Sequence, residues 1–217
     1  MTATARKTPP RAFFCLTGPD GCGKSTHVRR LSAWLQNEQH QKTGVFSVWE
    51  IAKNPRYHSH AFISDRRAVN QYLGLLHGGS RALFVFHGLY ESYSLAMSEE
   101  PAALLADGHW HKYAFTEHLH GEDLEWLKNI AGGFPQPRVT IFLDISPEIA
   151  WDRKQGAVTA YECGFASPTR EHFLEFQTRL RDLFLREAQE AGWIVLATDR
   201  PEDDVADDIK KIVEKEV

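Results

Sequence analysis

Cysteine is scarce in this chain: the 217 residues hold three, Cys15, Cys22 and Cys163. An odd number without metal-ligand spacing argues against a disulfide scaffold and a zinc module, and points to a reduced, cytoplasmic setting. Long apolar runs are missing too. No stretch approaches the ~20 residues of a membrane helix, and the polar segment 1–11 lacks a signal core and reads as a disordered tail. Neither sign of charge dominates. Lys and Arg number 25 against 29 Asp and Glu, and the net charge of −4 gives no global reason to bind nucleic acid or an anionic membrane. Eleven histidines include His58-x-His60, His109-x-His111 and His118-x-His120. No cysteine or third ligand accompanies them at metal spacing, so they read as surface or interface residues. Internal repeats and low-complexity segments are absent. What remains, 42% apolar and 25% charged residues, describes one globular domain over 12–217 with a full core.

Within that domain the segment Gly18-Pro-Asp-Gly-Cys-Gly-Lys-Ser-Thr26 fits the phosphate-loop pattern of Gly, four residues, then Gly-Lys-Ser/Thr. Its setting fits as well. The apolar run Ala12–Thr17 before it reads as a buried strand, and Val28, Leu31, Trp34 and Leu35 behind it have helical spacing. Such a turn makes an anion site. Gly18, Gly21 and Gly23 can aim backbone N–H groups at a phosphate, alongside those of Cys22 and Thr26, the helix dipole adds partial positive charge, and Lys24 adds a full one. The Ser25 hydroxyl is placed to ligate Mg²⁺. The expected ligand is ATP with Mg²⁺.

Strand and helix patterns alternate along the rest. Further strands are expected at Val45–Glu50, Ala102–Ala106, Val139–Asp144 and Trp193–Ala197. Helices are expected at 65–76, 80–97, 110–130, from Pro147, at 169–191 and at 201–215. Apolar strands without polar alternation indicate a parallel five-stranded sheet with helices on both faces, an α/β P-loop NTPase fold. Residues 154–168, rich in Gly and polar side chains, read as a small mobile lid. Asp107 closes the third strand, at the sheet edge where parallel sheets bind ligands. It is a candidate for Mg²⁺ or for placing the attacking oxygen, with a helix N-cap as the alternative. Asp144 reads as a turn and cap residue, and Glu202-Asp203-Asp204 as charges suited to a helix N-terminus.

These motifs resemble the thymidylate kinase family of P-loop nucleoside monophosphate kinases, over nearly the whole chain from Phe13. The resemblance rests on the phosphate loop with its acidic Asp20, on Phe142-Leu143-Asp144 through Arg153, and on Phe173-Leu174 through Arg181 to Ile194–Asp199. It implies transfer of the ATP γ-phosphoryl group to a nucleoside monophosphate, by default dTMP, and commonly a homodimer. It also implies roles for particular residues. Lys24 and Arg153 would stabilise charge on the transferring phosphoryl group. Asp20 would meet the acceptor sugar, Phe84 would stack on the base, and Glu117 would stand where a base-reading glutamine is usual. Tyr161 and Glu162 are further acceptor candidates. The middle of the chain departs from the pattern. Asp107-Gly108 replaces Asp-Arg, Gly88 replaces a helix arginine, and Trp49-Glu50-Ile51 replaces Arg-Glu-Pro, making Trp49 a candidate wall of the acceptor site. Lys53, Arg56, Arg81 and Lys112 are the cations left for an acceptor phosphate. Two alternatives stay open: a P-loop kinase of a non-nucleotide or unphosphorylated acceptor, and a nucleotide-binding regulatory module without turnover.

Overall fold

The structure is a computed structural model that describes residues 8–51, 54–57 and 66–216. Residues 1–7 of the expected tail, with Lys53, His58 and His60, lie outside them. Five parallel strands form one sheet in the order β2-β3-β1-β4-β5: β1 Ala12–Thr17, β2 Thr43–Phe46, β3 Ala103–Asp107, β4 Val139–Asp144 and β5 Ile194–Ala197.

The central strand shows why both faces are covered. Phe13 and Cys15 face one side, with Leu104, Ala106 and Phe46, and pack against helices α3 (Gly78–Ser98) and α4 (Trp110–Leu119). Phe14 and Leu16 face the other, with Leu105, Ile141 and Leu143, under α1 (Lys24–Asn37) and α8 (Glu202–Glu214). Each fully buried Phe or Leu contributes about 1.5–3 kcal/mol. A third cluster joins Phe142 to Phe115 of α4 and to Phe176, Leu180 and Phe184 of α7 (Arg170–Ala191). On α1 the buried residues include Val28, Leu31, Trp34 and Leu35, the face its spacing predicts.

Several boundaries differ from the sequence reading. β2 ends at Phe46, and Ser47–Glu50 turn away because Ser47 and Glu50 close a turn through their backbone. The expected helices at 65–76 and 80–97 are α2 (Arg66–Leu75) and α3, and α3 starts earlier than expected because Gly78 and Gly79 form its first turn. The expected helix over 110–130 is two, α4 and α5 (Leu124–Ala131), parted at Gly121 with φ 108° and restarted by Asp123, whose carboxylate caps the Trp126 amide. β5 is an edge strand rather than a fully covered one, with Val195 48% exposed. Asp144 forms a two-point ion pair with Arg181 (2.6 and 2.8 Å), while Ser146 caps α6 (Pro147–Lys154). The histidines are the largest difference. His109, His111 and His120 are buried among aromatic rings, with His111 stacked on Trp110 at 3.5 Å and His120 on Phe176 at 5.1 Å.

Candidate functional site

The phosphate loop leaves the C-terminal end of β1 and enters α1 through Gly23, at φ 92°. Gly23 supplies no side-chain cap, and the first turn of α1 has no acidic residue, so its leading amides keep their capacity for an external anion. The loop is drawn tightly onto its neighbours. A Cβ on Gly21 would sit 2.9 Å from Ala150 atoms of α6, and the residue's φ of 87° is itself a glycine conformation. The Lys24 ammonium folds over the loop and donates to the carbonyls of Gly18 (3.0 Å) and Pro19 (2.8 Å). Burial works against that charge, but Asp20 and Asp107 nearby leave its pKa above the ordinary lysine value.

The loop faces a cleft of about 1340 Å³ that runs along the ends of the strands. On the β3 side its lining includes Asp107, Lys112, Tyr113 and Trp49. On the β5 side it includes Arg153, Thr198 and Arg200. Asp107 does not cap α4: the N-cap position belongs to His109. Arg153 lies on α6 and donates to the Thr198 carbonyl at 2.5 Å, which fixes its guanidinium at the cleft wall. Asp20 is held from two sides. Lys112 of α4 contacts its carboxylate at 2.6 Å, and Gln177 of α7 accepts from its backbone amide (3.0 Å) and donates to its carboxylate (3.3 Å). Burial opposes ionisation of Asp20, yet the Lys112 and Lys24 ammoniums outweigh it and hold the carboxyl well below the usual range. For Lys112 burial is the stronger influence and lowers its pKa against the pull of Asp20. Gln177 was missed in the sequence, although it is the polar residue between Phe173, Phe176 and Leu180 on the buried face of α7.

The expected lid is not an open loop. It contains a 3-10 turn, Ala160–Cys163, with a capping box between Thr159 and Glu162. Glu162 also takes an ion pair from Lys154 at 2.9 Å, so its carboxylate is engaged within the turn. Tyr161 donates its hydroxyl to Glu117 at 2.8 Å. Glu117, fully buried, pairs with Arg81 of α3 through contacts of 2.7 to 3.1 Å. Burial works against the Glu117 carboxylate, and the neighbouring His120, Arg81 and Tyr161 outweigh it and lower its pKa. Arg81 and Glu117 lie behind the cleft wall, while Tyr161, Glu162 and Phe165 line it. Phe84 meets Tyr72 edge-on at 5.2 Å and lines a small apolar cavity that adjoins the cleft and shares Trp49 and Leu73 with it. At Gly88 a Cβ would lie 3.3 Å from Val48, so this position serves packing.

The family model described as thymidylate kinase matches residues 84–209. The chain belongs to the thymidylate kinase family. A thymidylate kinase of Burkholderia vietnamiensis is 32% identical over 195 residues, covering 82% of this chain and 84% of the relative. A probable thymidylate kinase of Saccharolobus solfataricus is 25% identical over 213 residues, covering 93% and 94%. The thymidylate kinase of Dictyostelium discoideum is 24% identical over 217 residues, covering 94% and 85%. This family member is therefore an ATP-dependent nucleoside monophosphate kinase with Mg²⁺. The residues present suit both. The loop amides and Lys24 match a triphosphate. Ser25 and Asp107 both line the cleft, a hydroxyl and a carboxylate of the kind Mg²⁺ takes beside phosphate oxygens. Among the described residues no helix is long and apolar enough to cross a membrane.

Proposed function

We propose that this chain transfers the γ-phosphoryl group of ATP to dTMP, giving dTDP and ADP. The observation that carries the proposal is the placement of the phosphate loop and the half-buried Asp20–Lys112 pair in one cleft of a thymidylate kinase family chain. The triphosphate lies on the loop amides and Lys24, with Arg153 on the β5 side. The acceptor enters on the β3 side, between Asp107, Lys112 and the wall that includes Trp49, Tyr161 and Phe165. An acceptor phosphate oxygen forms the new P–O bond as the bond to the β–γ bridging oxygen breaks and ADP departs. That acceptor oxygen is already ionised at neutral pH, since a phosphate monoester's second pKa is ~6, so no residue has to act as a general base. Asp20, kept as a carboxylate by Lys112, is free to accept from a sugar hydroxyl. Lys24 and Arg153 stabilise the charge that develops on the transferring group. Mg²⁺, when bound, would neutralise the phosphate oxygens, and Ser25 and Asp107 are the residues that would hold it.

Membership of the thymidylate kinase family favours a phosphorylated acceptor over an unphosphorylated one, and the intact Lys24-Ser25 pair favours turnover over a silent binding module. An ADP-release assay over nucleoside monophosphates and their nucleosides tests this. Turnover greatest with dTMP supports it; turnover only with unphosphorylated acceptors overturns it. The same reading includes a cytoplasmic setting, supported by three unpaired, buried cysteines. It also includes a homodimer, supported by exposed Leu83 on α3, a helix beside the sheet, and checked by analytical ultracentrifugation.

A further inference from the structure

Behind the 159–165 turn, several elements converge on a buried Arg81–Glu117 pair that the transfer just described does not use. Arg81 comes from α3, Glu117 and His120 from α4 and its end, and Tyr161 and Phe165 from the segment after α6. Arg81 reaches Glu117 with both Nε (2.8 Å) and Nη2 (2.7 Å), and its Nη1 donates to the Leu76 carbonyl at 3.0 Å. The same guanidinium lies over the Phe165 ring, 4.5 Å from its centroid. Glu117 accepts the Tyr161 hydroxyl, and a His120 ring nitrogen lies 3.1 Å from the Tyr161 carbonyl oxygen. From the other side, Gln177 donates to the Glu162 carbonyl at 3.0 Å.

We propose that Arg81 and Glu117 are positioning residues that hold Tyr161 and Phe165 as a standing wall of the acceptor site. The acceptor's flat ring then meets an aromatic and hydroxyl-bearing surface that exists before binding, not one assembled by loop closure. The physical reason is the burial of the pair. A guanidinium and a carboxylate withdrawn from water hold each other firmly, and each also reaches the turn: Glu117 the Tyr161 hydroxyl, Arg81 the Phe165 face. A wall fixed in advance lowers the ordering cost of binding the acceptor and leaves binding of ATP on the loop untouched. This inference rests on the monophosphate kinase reading, and the test separates the two.

Three variants of the full chain decide it: Tyr161→Phe, Glu117→Gln, and the double change Arg81→Met with Glu117→Met, which replaces the pair by apolar side chains. The readouts are hydrogen exchange of the 159–165 amides and the KM values for the nucleoside monophosphate and for ATP. Loss of the Tyr161–Glu117 bond should speed exchange at 159–165 and raise the acceptor KM about tenfold, the worth of one hydrogen bond. The ATP KM should stay within about twofold. The double variant should show the same split even where its melting temperature matches the wild type. If Glu117→Gln does not fold, Tyr161→Phe alone decides, since it leaves the ion pair in place. Exchange at 159–165 unchanged from wild type, or both KM values rising together, overturns the inference. A wild-type chain that turns over no nucleoside monophosphate overturns the underlying reading, and the inference with it, before any variant is made.

Discussion

Replacing Lys112 by Met removes the ammonium that sits 2.6 Å from the Asp20 carboxylate. The Lys112 side chain is 8% exposed and that of Asp20 22%, and both line the cleft, so water replaces part of the lost partner. Breaking a buried ion pair from one side costs about 3–5 kcal/mol. Asp20 keeps its contact with Gln177 at 3.3 Å and some exposure, which places the loss near the lower end, about 3 kcal/mol. For a chain of this length that corresponds to a fall of about 6–12 °C in Tm. The loss must also depend on pH. In the wild type the Asp20 pKa is depressed, so its contribution is present above the unfolded value of ~3.9 and fades as pH falls below it. In Lys112→Met burial acts with less opposition and raises the folded pKa, so the variant recovers as the carboxyl protonates. The gap in Tm between the two proteins should therefore be widest near pH 7 and shrink toward pH 4. Adding Asp20→Asn to Lys112→Met should restore most of the lost stability at pH 7. Thermal melts from pH 4 to 8 read all of this. A Lys112→Met protein melting within ~2 °C of wild type at pH 7 refutes the reasoning, as does a gap that widens on acidification.

Gly21→Ala should destabilise the chain and depress turnover, because its Cβ meets Ala150 at 2.9 Å on top of about 1–2 kcal/mol of left-handed strain. Gly156→Ala, at a similar φ of 79° but with nothing within 4 Å, carries the strain alone, so its smaller loss of Tm is the control. His109 and His111 are pushed by burial to about 3 and 2, below the unfolded value of ~6.5. The unfolded chain therefore takes up protons that the folded one refuses, and stability present above pH 6.5 is lost at about 1.4 kcal/mol per pH unit per histidine as pH falls toward 3. Denaturant titrations at pH 7, 6 and 5 should show that slope, and His111→Phe should make it shallower. Lys24→Met should lower kcat by at least about 10²–10³ in steady-state assays while leaving the far-UV spectrum unchanged.

Much of the scaffold was legible because it is local. The phosphate loop, the strands at 12–17 and 139–144 and the buried face of α1 follow from patterns within a few residues of each other. What escaped depends on distant pairings. Arg81 and Glu117 are 36 positions apart, and Asp20 and Gln177 are 157 apart, so no periodicity brings either pair together. The Arg81 pairing holds the acceptor candidate Glu117 behind the cleft lining, and the Gln177 pairing holds Asp20 at the loop. His109-x-His111 misled for a related reason. Paired histidines look like ligands or surface groups until the aromatic residues around Trp110 and Trp193 close over them. The break at Gly121 was hidden by helix formers on both sides of it.

The most direct measurement is of the product itself. The purified chain is incubated with dTMP and Mg·ATP, and the nucleotides are separated by ion-exchange chromatography alongside a Lys24→Met sample. dTDP and ADP should appear in equal amounts with the wild type, and the variant should form both at least about a hundredfold more slowly. ATP consumed while dTMP stays unchanged, or dTDP formed equally well without Lys24, would contradict it.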